Sequence, residues 1–95
     1  MKNKEIMMLD IYCTVDRAKR PEWMKRLLSF LSGAQRKVYE GTSDEMTAIY
    51  GGVESYLRQM NLSGQAGVKL DAELTKDGDI HIKKNGRTFV DIRFA

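Results

Sequence analysis

The chain has 95 residues, 42% hydrophobic and 31% charged, with one Pro, eight Gly and a single Cys. That length is one domain with one core, and the composition excludes a disordered, collagen-like or disulfide-stapled chain. The net charge is +3, yet residues 17–37 hold seven Lys and Arg against one Glu while residues 38–61 hold one Arg against four acids, so a basic pole is set against an acidic stretch. The expected organisation is a single α+β domain over 1–95, with 1–5 flexible. Ile6 to Leu9 is too short an apolar run for a signal peptide, and no run reaches membrane-spanning length. A cytoplasmic protein without a membrane partner is therefore expected.

Met7 to Val15 alternates Leu9, Ile11, Cys13 and Val15 with Met8, Asp10, Tyr12 and Thr14, the period of a half-buried strand. Cys13 belongs to its apolar side and reads as core. Pro21 suits the first position of a helix that runs to about Ser32, with Trp23, Met24, Leu27, Leu28, Phe30 and Leu31 on one face and Lys25 and Arg26 on the other. Gly33 is expected to end it, and 34–41 to be a loop anchored by Val38 and Tyr39.

The longest expected element is a helix over Thr42 to Asn61. Its stripe of Met46, Ile49, Tyr50, Val53, Tyr56, Leu57 and Met60 follows helical spacing, and Thr42 with Glu45 has the form of a capping box. Gly51 and Gly52 each cost about 1 kcal/mol there relative to Ala. Ala48, Gly52, Ser55 and Gln59 form a small-residue strip that predicts close approach of the first helix, or of a partner, with Gly52→Ala neutral or worse.

Three strands at hairpin spacing follow. Val68 to Leu74 alternates, Ile80 and Ile82 alternate with His81 and Lys83, and Thr88, Val90, Ile92 and Phe94 alternate with Phe89, Asp91 and Arg93. Asp77-Gly78 and Asn85-Gly86 mark the turns. The order β-α-α-β-β-β predicts two layers: a four-stranded antiparallel sheet with both helices on one face and the other face open.

Chemistry-bearing motifs are sparse. His81 is the only histidine and Cys13 the only cysteine, so zinc-type spacing is absent. Asp71, Glu73, Asp77 and Asp79 lack the oxygen spacing of a calcium loop. No GxGxxG, P-loop or GxSxG sequence occurs. No cofactor, metal or catalytic residue is assigned. The expected open face carries Tyr12 and Phe89 among mixed charges, which suits a protein partner better than phosphates. The candidate partner-binding residues are Arg17, Lys19, Arg20, Lys25, Arg26, Arg36 and Lys37 of the basic pole, together with Tyr12 and Phe89.

Two family comparisons bear on the element order. The KH module also opens β-α-α-β, but its GxxG loop would fall between Gly33 and Gly41, where none exists. The order and basic character resemble RelE/ParE-type toxins. That resemblance implies a ribosome-dependent mRNA interferase or RNA-binding protein, with His81, Lys83, Arg87 and Arg93 as possible counterparts of the sheet residues that act on RNA. The first expectation is instead a small non-enzymatic binding module. Its partner would be an acidic protein surface or a nucleoprotein complex, with direct nucleic-acid binding as an alternative. Its type would be that of phage or plasmid inhibitors of host nucleic-acid-handling and defence complexes, anti-CRISPR proteins included.

Overall fold

Alternation in four segments and helical spacing in two become, in the computed structural model, β1 (Leu9–Cys13), α1 (Glu22–Tyr39), α2 (Met46–Ser63), β2 (Leu70–Leu74), β3 (Ile80–Lys84) and β4 (Arg87–Phe94), with a 3-10 turn at Arg17–Lys19. The structure describes residues 9–39 and 46–94. The expected capping box at Thr42 and Glu45, and the expected strand residues Met7 and Met8, lie outside them. The strands form one antiparallel sheet in the order β1-β4-β3-β2.

The core lies between one sheet face and the helices. Met24, Leu27 and Leu31 of α1 and Ile49, Val53, Leu57 and Met60 of α2 are buried against Leu9, Leu70, Ile80, Ile82, Val90 and Ile92. Apart from Phe89 beside Val90 in β4, each strand contributes alternate residues, so the period-two pattern places most of them. Phe30 of α1 stacks on Tyr56 of α2 at 4.4 Å between ring centroids, which joins the two helices.

Three expectations need correction. α1 does not end at Gly33 but continues to Tyr39, as long as α2 at 18 residues. Gly33 faces open space, Ala34 keeps the apolar spacing, and Gln35 Nε2 donates to the Leu9 carbonyl at 2.6 Å, tying the extension to β1. The glycines of α2 are not wedged: a Cβ on Gly51 would meet nothing within 4 Å, and one on Gly52 would meet Phe30 Cζ at 3.9 Å, an ordinary contact.

The third correction concerns Phe89. The register passes from Ile82↔Val90 to Lys83↔Thr88, which leaves Phe89 unpaired with β3 as a bulge. The extra residue turns Phe89 to the helix side, where it is buried and meets Trp23 edge-to-face at 5.9 Å. Thr88, expected in the core, is exposed. The turn just before, Asn85-Gly86, has positive φ at both residues (50° and 83°), as its sequence demands.

Candidate interaction surfaces

The basic pole is built from the 3-10 turn and the outer face of α1. Arg17 and Lys19 are exposed in the turn, and Lys25, Arg26 and Arg36 are exposed on the helix. Lys25 and Arg36 are eleven residues apart, three turns, so they share one stripe about 16 Å long. Among the described residues none of these five has an ion-pair partner. Glu22 sits beside them in the first turn of α1, where a carboxylate suits the helix dipole. Arg20 is different: it is half-buried, and its Nε donates to the Val15 carbonyl at 2.8 Å, closing the loop that leads into α1. Lys37 falls in the last turns of α1, and its side chain lies outside the described residues.

The open sheet face is organised in cross-strand rows. Tyr12 of β1 opposes Asp91 of β4, Asp91 opposes His81 of β3, and His81 opposes Glu73 of β2, one row across all four strands. Arg93 Nη2 donates to Asp91 Oδ2 at 2.6 Å, and this carboxylate raises the guanidinium pKa above its ordinary value. Lys83 Nζ lies 2.9 Å from Glu73, whose carboxyl is held below the usual range chiefly by that hydrogen bond. His81 Nε2 is 3.5 Å from Asp91 Oδ1, an oxygen that is buried and has no hydrogen-bond partner among the described residues. The acids of this row are therefore matched by bases on the same sheet. Tyr12 projects from it, 66% exposed.

Thus the structure keeps Tyr12 on the open face and leaves Arg17, Lys19, Lys25, Arg26 and Arg36 exposed, but it removes Phe89 to the core. The His81–Asp91 approach was not anticipated from sequence. Its signal was available in the strand register, since these two oppose each other once the Asn85-Gly86 turn and the bulge are counted together.

A groove of about 330 Å³ runs between the helices, lined by Ser29, Phe30, Gly33, Ala34, Ala48, Ile49 and Gly52. It is mostly apolar, with Ser29 its one polar side chain, so no reactive groups converge there. Among the described residues no group of three or more His, Cys, Asp and Glu side chains is placed to hold a metal ion, and no helix is long and apolar enough to cross a membrane.

No family model, no curated protein and no solved structure matches the chain.

Proposed function

We propose that the protein is a small non-enzymatic binding module whose basic surface docks on an acidic protein surface or a nucleoprotein complex. The observation that carries this reading is the contrast between two faces. Arg17, Lys19, Lys25, Arg26 and Arg36 stand exposed without acidic partners among the described residues, while Asp91 and Glu73 of the open sheet are matched locally by Arg93 and Lys83. Like charge in excess raises the local potential and steers an oppositely charged partner. A role as an inhibitor of a host nucleic-acid-handling or defence complex fits such a module. Tagged protein should retain a specific partner in low salt and release it as salt rises, and Lys25→Glu with Arg26→Glu should weaken retention. Undiminished retention by that double variant would count against the reading.

A second reading has its own observation. His81 beside the Asp91 carboxylate, with Tyr12, Lys83 and Arg93 on the same face, has the components of an acid/base site for RNA cleavage of the RelE kind. Expression of the protein alone separates the two. A ribonuclease toxin arrests growth, and His81→Ala relieves the arrest; a binding module leaves growth intact.

A further inference from the structure

The two outer strands of the sheet are finished differently. In β2 the groups that point away from β3 belong to Leu70, Ala72 and Leu74, because Asn85 N–H donates to the Lys69 carbonyl and the ladder alternates from there. α2 supplies partners for both groups of Leu70 and for the Ala72 carbonyl. Asn61 Nδ2 donates to the Leu70 carbonyl at 2.9 Å, Leu70 N–H donates to Asn61 Oδ1 at 3.0 Å, and the Tyr50 hydroxyl lies 3.2 Å from the Ala72 carbonyl. Side chains thus occupy the Leu70–Ala72 part of that edge.

At β1 the same reasoning gives an open edge. Thr14 N–H donates to the Phe89 carbonyl at 2.9 Å, so Thr14, Tyr12 and Asp10 bond towards β4 while Leu9, Ile11 and Cys13 point their backbone groups outward. Among the described residues the Leu9 carbonyl receives Gln35, and the outward groups of Ile11 receive nothing. The strand carries no Pro, Lys or bulge of the kind that blocks edge pairing.

We propose that β1 is a self-association edge, where two copies pair antiparallel about a two-fold axis at Ile11 and join two four-stranded sheets into one of eight. The strand is self-complementary in that register. Ile11 meets Ile11 of the second copy as a pair exchanging both backbone hydrogen bonds, and Leu9 opposes Cys13. The Leu9 carbonyl keeps a second lone pair for the Cys13 N–H. On the open face the Tyr12 hydroxyl falls beside the Asp10 carboxylate of the second copy, twice by symmetry, and both residues are exposed in the single chain. On the helix side Ile11 and Cys13 are only half-buried, as is Leu28, which lies seven residues from Gln35 on the same flank of α1. Pairing would cover this apolar border and leave the outer basic stripe of α1 free.

Sedimentation over a range of concentrations provides the test. The wild type should shift from its 10.9 kDa monomer mass towards twice that value. Ile11→Pro should weaken dimerisation about tenfold or more, because the Ile11 N–H donors of both copies are lost at once while the β1–β4 ladder keeps its own bonds. Circular dichroism reports whether that variant folds. If it does not, crosslinking decides: Ile11→Cys with Cys13→Ser should oxidise to a disulfide-linked dimer, whereas Thr14→Cys with Cys13→Ser should not, being several residues out of register. A wild type that stays monomeric throughout, an association that survives in folded Ile11→Pro, or equal crosslinking at both positions would overturn the proposal.

Discussion

Asn61→Ala removes a side chain that behaves as a fifth strand one residue long. Its amide exchanges two hydrogen bonds with the backbone of Leu70, at 2.9 and 3.0 Å, where Leu70 is 1% exposed. Each bond contributes about 1 kcal/mol net, so the loss is about 2 kcal/mol. Ala is the better helix former by up to about 0.7 kcal/mol, which offsets part of it and leaves a destabilisation of about 1.5 kcal/mol. For a domain of this size that is a fall in Tm of about 6–12 °C. Thermal and urea melts of both proteins measure it. Asn61→Asp keeps the acceptor for Leu70 N–H but sets a carboxylate against the Leu70 carbonyl, so it should not rescue stability. A Tm unchanged in Asn61→Ala would refute the view that α2 closes the β2 edge by hydrogen bonding.

Gly33→Ala and Gly51→Ala should each stabilise by about 0.5–1 kcal/mol in urea melts, since a Cβ at either meets nothing and both lie within helices; destabilisation at Gly33 would mean that α1 ends there. Gly52→Ala should also stabilise, because Phe30 stands at an ordinary contact distance of 3.9 Å. Val53→Asp should unfold the domain, since Val53 is fully buried and an unpaired core charge costs several kcal/mol against a total stability of about 5–15; a cooperative melt near that of the wild type would contradict the two-layer core. In Lys83→Met the Glu73 carboxyl should titrate nearer its ordinary value, followed by NMR. Because the folded wild-type value is the lower one, the stabilisation from Lys83 is present above the ordinary carboxylate range and shrinks as pH falls through it; a gap between the two proteins that widens towards acid would contradict the pairing.

What was legible in the sequence was whatever alternation and helical spacing dictate. The buried residues of α2, from Ile49 to Met60, and the core positions of β1 and β3 follow directly from period, because one sheet face and one helix stripe must leave water together. Two of the three failures trace to single residues. Gly33 reads as a stop only if the chain behind it has nothing to hold; here Gln35 is tied to β1, and tertiary contact overrides a propensity of about 1 kcal/mol. The bulge at Phe89 moves one aromatic across the sheet with no compositional mark, since it depends on how the pairing next to the tight Asn85-Gly86 turn joins the rest of the β3–β4 ladder. The basic surface was visible as charge bias, but the separate employment of Arg20 at Val15 depends on a loop geometry that spacing does not encode.

Salt-dependent binding of the basic surface tests the central claim most directly. Wild type and the Lys25→Glu, Arg26→Glu double variant would be titrated against random-sequence RNA, polyglutamate and any retained partner at two salt concentrations, with melts run in parallel. Both side chains are exposed, so the two proteins should melt alike. The wild type should bind the retained partner more tightly than either polyanion and lose affinity as salt rises, and the double variant should associate more slowly and bind more weakly. Equal affinity and equal salt dependence for the two proteins would contradict the assignment of the basic face as the docking surface.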